Sequence, residues 1–162
     1  MGDSRGLIIS NDGKIISSTT GLTYSWWNNR WKWSLLIDHK PDSRKEKERI
    51  VKAGGHVTQM RNDVARVERI LAVSRALGDY SIDKHIVLPS PDIIQCSIKL
   101  SSPSFIVLAC DGLWDVLDNE QVAKFISENY SNTSLKDMAG QLVDQAFQLG
   151  TMDNISIYII NI

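Results

Sequence analysis

Between Phe105 and Asp115 the chain reads Phe-Ile-Val-Leu-Ala-Cys-Asp-Gly-Leu-Trp-Asp, and this run limits the fold more than any other. Five consecutive apolar residues, Phe105 to Ala109, predict a buried strand. Asp111 ends it, and Gly112 predicts a sharp turn. A carboxylate at the end of an apolar strand is costly unless something positive meets it. One such partner is a hard divalent cation, which takes oxygen ligands. The other reading is an ordinary strand-to-turn Asp-Gly. Asp115 adds a second carboxylate four residues on.

The chain's 162 residues suit one domain, and the formal net charge of -1 gives no reason to expect nucleic acid or an anionic membrane as the main partner. No apolar run approaches the ~20 residues that span a bilayer. The start, Met1 to Arg5, runs straight into strand-like sequence without a secretory signal. Cys96 and Cys110 lie in apolar stretches and are expected to be buried, reduced thiols of an intracellular protein.

Several elements follow from pattern. Gly6–Ser10 and Lys14–Ser17 flank Asn11-Asp12-Gly13, which predicts a hairpin. Residues 18–34 hold Trp26, Trp27, Trp31 and Trp33 among polar residues with no clear period. This stretch reads as a surface insertion, with an aromatic contact patch as the alternative. Asp42–Val51 predicts a solvated helix ended by Gly54-Gly55. Residues 57–67 predict a loop, and Arg69–Ser74 and Asp92–Leu100 predict strands. Asp118 and Gln121 form a capping-box start for a helix to about Asn129. Ser134–Leu149 predicts a helix whose stripe, Leu135, Met138, Ala139, Leu142, Val143, Ala146 and Phe147, is core. Ile155–Ile160 predicts a final buried strand. The sum is an α+β domain, helices covering a mostly antiparallel sheet.

Asp153-Asn154 precedes the last strand as Asp111 follows an earlier one. If those strands pair antiparallel, both carboxylates reach one sheet edge, and Asp3 could join them. Turn chemistry is the alternative for Asp3 and Asp153. Cys-X-X-Cys and His-Glu-X-X-His are absent, which argues against zinc. The remaining chemistry is that of acidic residues and a hard metal, activating water or clamping phosphate oxygens.

Seven ordered motifs then resemble the metal-dependent protein phosphatases of the PP2C (PPM) type. They are Gly2-Asp3-Ser4-Arg5-Gly6, Asp38-His39-Lys40-Pro41, Glu46 to Ile50, Ala53-Gly54-Gly55, Leu71 to Asp79, Ala109 to Asp115 and Asp153-Asn154. The resemblance covers nearly everything except 18–34. It implies a β-sandwich of antiparallel sheets flanked by α-helices, of which this chain, 1–162, is a single amino-terminally truncated domain with the Trp-rich insertion. It implies hydrolysis of phosphoserine and phosphothreonine in proteins by a water activated between two Mg2+ or Mn2+ ions. Asp111 and Asp153 match ligands of the first metal, and Asp3, Asp111 and Asp115 those of a third, weaker one. Arg75 and Asp79 match a motif near the flap, with a mutual salt bridge as the plainer account. The implied partners are phosphorylated proteins, with no nucleic acid and no membrane. The implied state is a monomer located in the cytoplasm, the nucleus or both.

Two departures stand out. The family's amino-terminal half carries an Asp-Gly-His-Gly motif whose Asp bridges the metals, and here neither Asp12-Gly13 nor Asp111-Gly112 continues into His. The expected consequence is an incomplete binuclear site and no activity of the chain alone; a non-catalytic binding module is the alternative. Glu68-Arg69 stands where relatives have Asn-Gly.

Overall fold

The computed structural model describes residues 3–18, 21–27, 30–36, 38–61, 63–79, 81–92 and 104–162. The chain's contacts divide into two compact units, one of Met1–Asp3 with Ile37–Ile94 and one of Ser4–Leu36 with Gln95–Ile162.

The second unit is built on a four-stranded antiparallel sheet in the order β2-β1-β7-β8, with β1 Arg5–Ser10, β2 Ile15–Ser18, β7 Ser104–Ala109 and β8 Ile157–Asn161. The predicted hairpin joins β1 to β2. Gly13 takes φ 79°, and the Asp12 carboxylate meets the Ser10 hydroxyl and the Lys14 amide. Those hydrogen bonds, Ser10 first, hold the Asp12 carboxyl below its ordinary range.

Strands alternate their faces, and among the described residues helices cover one face of the sheet. Leu7, Ile9, Phe105, Val107 and Ala109 are buried beneath α2 Asp111–Trp114, α3 Asn119–Asn129 and α4 Leu135–Gln148. Each large side chain there contributes roughly 1.5–3 kcal/mol. The predicted capping box forms at Asp118 and Gln121, and Ser134 caps α4 by accepting from the Asp137 amide.

The expectation of fully buried strands is corrected. Leu108 is 44 % exposed, Tyr158 69 % and Ile160 43 %. Register places Leu108 beside Tyr158 and Ile106 beside Ile160, so these apolar residues share the face opposite the helices. An apolar run cannot report that only one of its two faces is covered by the described residues. Phe147 is also exposed, at the edge of the α4 stripe, whereas Met138, Leu142 and Ala146 are buried.

The Trp-rich stretch shows no clear period in the sequence and reads there as a surface insertion. It forms a hairpin of β3 Gly21–Trp27 and β4 Arg30–Leu36 with a continuous antiparallel register. The adjacent Trp26 and Trp27 mask the alternation when one strand is read alone.

The first unit contains α1 Arg44–Lys52 and a two-stranded ladder of β5 Val57–Thr58 and β6 Arg66–Val67. Ile50, Val67, Ile82 and Val87 form its core. The strand predicted over Arg69–Ser74 is instead a turn and irregular chain. Glu68 and Arg69 both take positive φ, 49° and 63°, and return the chain so that Leu71 bridges Val67. The strand predicted over Asp92–Leu100 falls outside the described residues beyond Asp92 itself.

Candidate functional site

The β7–β8 register pairs Ala109 with Ile157, so the segment leaving β7 and the segment entering β8 meet at one sheet end. The backbone amide of Cys110 donates to the Ser156 carbonyl at 3.2 Å. The Cys110 thiol donates to the Asn154 carbonyl at 3.2 Å and accepts from the Ser156 amide at 3.1 Å. Its thiol is therefore half-buried and hydrogen-bonded; Cys96 lies outside the described residues.

Gly112 completes this junction for a different reason from the one its sequence context suggests. It begins a short helix and is not among the residues with positive φ. A Cβ at Gly112 would lie 2.3 Å from the Asn154 carbonyl oxygen, which no side chain tolerates. Glycine is needed so that the Asp153-Asn154 loop can approach.

Asp111 and Asp153 thus flank a laced pair of loops. Asp111 is partly buried and accepts from the Gly112 amide at 3.0 Å. Asp153 is exposed and accepts from the Asn154 amide at 2.7 Å. Asp115 is exposed one turn above Asp111, with its amide on the Asp111 carbonyl at 2.8 Å. Asp3 belongs to the other unit, where Lys40 Nζ lies 3.9 Å from its carboxylate. The carboxylates suit a hard cation in kind. Among the described residues no group of three or more His, Cys, Asp or Glu side chains is placed to hold a metal ion.

The first unit holds a polar centre that sequence reasoning missed. Glu46, on the helix expected to be solvated, is 3 % exposed. It accepts from Arg75 Nη2 at 2.6 Å, Arg75 Nε at 3.2 Å, Arg49 Nη2 at 2.8 Å and the Ser74 hydroxyl at 2.9 Å. Burial alone would raise its pKa. The hydrogen bonds from Arg75, then Arg49 and Ser74, overcome that and hold the Glu46 carboxyl at about 2. Glu46 in turn raises the Arg75 pKa.

Arg75 also donates to Asp92 at 2.9 Å and to the Ser90 carbonyl at 3.0 Å. His39 Nε2 lies 3.3 Å from the other Asp92 oxygen. Burial acts to raise the Asp92 pKa, but Arg75 outweighs it and the net shift is downward. The plainer account of Arg75 as the ion-pair partner of Asp79 is corrected: its partners are Glu46 and Asp92. Asp79 is exposed at φ 52° and accepts the Ile82 amide through its carbonyl. One signal could have found Glu46. It stands four residues before Ile50, which places both on one helical face.

The fold these loops hang on is α+β, a helix-layered antiparallel sheet, and comparison with known proteins finds it again among phosphatases. A crystal structure of a phosphatase from a pathogenic strain of Toxoplasma gondii aligns with TM-score 0.75 and 31% identity over 98% of this chain and 45% of that one. The sequence model described as Protein phosphatase 2C matches residues 1–155. Protein phosphatase 1L of Bos taurus is 36% identical over 99% of this chain and 39% of its own length. Protein phosphatase 1B of Homo sapiens is 34% identical over 98% of this chain and 30% of its own. The chain belongs to the protein phosphatase 2C family. It spans less than half the length of these relatives.

Proposed function

We propose that the chain is the carboxy-terminal part of a catalytic domain that hydrolyses phosphoserine and phosphothreonine in proteins. In this reading Asp111 and Asp153 are its contribution to a site for Mg2+ or Mn2+, with Asp115 a further oxygen donor one turn from Asp111. The observation that carries the reading is the junction of Gly112 with the Asn154 carbonyl, which locks together the two loops bearing Asp111 and Asp153. Bound metal ions of this kind supply Lewis-acid activation of water and neutralise phosphoryl charge. The chain's own residues hold hard oxygen donors at the end of a rigid ladder, where the Cys110 bonds fix the loop spacing. In the other unit, Glu46 fixes Arg75, and with it the segment running to Asp79. The expected location is intracellular, in keeping with the free Cys110 thiol.

The test is a chimera in which this segment replaces the corresponding part of an active relative. Turnover of a phosphopeptide with Mn2+ should fall at least ~100-fold on Asp111→Asn or Asp153→Asn, since each removes a metal ligand. Unchanged turnover in both variants would refute the assignment. The chain alone should show no turnover above its Asp111→Asn control. The second reading is a non-catalytic binding module. It predicts a folded chimera that is inactive yet retains phosphoprotein binding.

A further inference from the structure

Arg5 opens β1 on the face of the sheet that the helices cover. It shares that face with Leu7 and Ile9, the alternate residues of the strand, both fully buried. The register pairs Arg5 with Ala109, the last residue of β7, so it stands beside the point where the chain leaves for Asp111. A guanidinium at the end of an apolar row needs partners. Its Nη1 donates to Asn119 Oδ1 at 3.0 Å, and its central carbon lies 5.1 Å from the centre of the Trp114 ring. That separation is within reach of a cation–π contact.

Trp114 closes the circuit. It is buried, and its indole N–H donates to the Ala109 carbonyl at 2.9 Å. Ala109 is the residue opposite Arg5 in the ladder. The segment from Ala109 to Trp114 is thus closed on itself by the indole and pinned by the guanidinium. That segment contains α2, four residues long, with Asp111 first and Asp115 at its C-cap. A single turn has no helical stability of its own, so its direction is set by what it packs against. Asn119 is the first residue of α3, and Arg5 ties the start of that helix to the same point.

We infer that Arg5 is a positioning residue for the Asp111 carboxylate, acting through the Trp114 ring; this rests on the reading of Asp111 as a metal ligand. Groups behind a ligand matter because they fix its orientation before an ion arrives. Arginine suits the task and lysine does not. The flat guanidinium stacks on the indole while its N–H groups stay free to reach Asn119. A lysine keeps the charge but offers neither the plane nor the fork. The plainer account is that Arg5 only adds stability. Under it, exchange for lysine lowers the folded fraction and leaves the folded molecules' Asp111 turn and metal requirement as they were.

The first measurement uses the full chain without metal. Arg5→Lys should displace the amide resonances of Asp111 to Asp115 and the indole N–H resonance of Trp114. Ile9→Val, towards the other end of β1, should leave them in place. The second measurement uses the phosphatase chimera. Arg5→Lys should raise the Mn2+ concentration for half-maximal turnover ~10- to 100-fold, with KM for the phosphopeptide unchanged and kcat restored at saturating Mn2+. Trp114→Phe keeps an aromatic ring, loses the indole N–H and should shift the Mn2+ requirement in the same direction. Circular dichroism checks folding, and Trp114→Phe decides the matter if Arg5→Lys does not fold. Unmoved resonances at 111–115, or an unchanged Mn2+ requirement in a chimera that Asp111→Asn inactivates, would overturn the inference. A chimera that stays active with Asp111→Asn would refute the metal reading instead, and the metal-free resonances then settle whether Arg5 aims the turn.

Discussion

Arg75 Nη2 donates to Glu46 Oε1 at 2.6 Å, and both side chains are almost wholly removed from water. Arg49 and Ser74 meet the same carboxylate. A buried charge with this many partners is costly to unpair, because the remaining ions stay desolvated.

Glu46→Gln should therefore destabilise the protein by ~3–5 kcal/mol. Glu48 is the control, since its pair with Arg44 is exposed on the same helix. Glu48→Gln should change stability by less than about 0.5 kcal/mol. Urea unfolding of the two variants checks the contrast, and similar losses would contradict it.

Acid sensitivity follows from the same carboxylate. Its folded pKa, about 2, lies below its ordinary value of 4.5. A depressed carboxylate contributes stability that is fully present above the ordinary value and is lost as pH falls towards the folded one. The contribution is roughly 3 kcal/mol. Asp92 is shifted in the same direction and adds to the effect. Wild-type stability should fall more steeply than that of Glu46→Gln between pH 4.5 and about 2. Parallel curves would show that the Glu46 proton is not linked to folding.

Arg69 sits at φ 63° in a turn whose geometry favours glycine. Left-handed backbone costs a side-chain-bearing residue ~1–2 kcal/mol, and glycine's extra chain entropy returns about half of that. Arg69→Gly should raise stability by ~0.5–1 kcal/mol, and Arg69→Ala should not. Glu68, at φ 49°, behaves differently because its carboxylate accepts the His56 amide at 2.6 Å. Glu68→Asn gives up that bond and should come out near neutral. Thermal melts of the three variants separate backbone strain from side-chain loss.

Two glycines should respond to alanine in opposite directions. At Gly112 the new Cβ meets the Asn154 carbonyl at 2.3 Å, and the loops must part. The expected loss is ~3 kcal/mol, with amide shifts at 153–156. At Gly140, inside α4, a new Cβ meets nothing within 4 Å. There alanine should stabilise by ~1 kcal/mol through helix propensity. A tolerated Gly112→Ala would remove the packing argument for the Asp111–Asp153 junction.

Much of this architecture was legible because its signals are local. The Asp118 and Gln121 spacing marks a helix start, Asn11-Asp12-Gly13 marks a turn, and the 3.6-residue stripe marks α4. The adjacency of the Asp111 and Asp153 loops could be reasoned as a consequence of antiparallel pairing. What stayed hidden depended on distant partners. Glu46 looks solvated until Ser74 and Arg75 arrive from 28 and 29 residues away. Gly112 looks like a turn glycine until Asn154 packs on it. Tyr158 and Ile160 look like core, because their sequence does not say that nothing else described in the chain covers their face.

The β1–β7 ladder joins Ser10 to Ser104 and Arg5 to Ala109, and the whole of Ile37–Ile94 is threaded between them. During synthesis the β1–β2 hairpin therefore emerges long before its central partner leaves the ribosome. Closing so large a loop slows folding more than it weakens the folded state. Early compaction of the intervening unit would bring the two ends within reach. Slow refolding, and a nascent chain that needs chaperone protection until β7 appears, are built into the order of the strands.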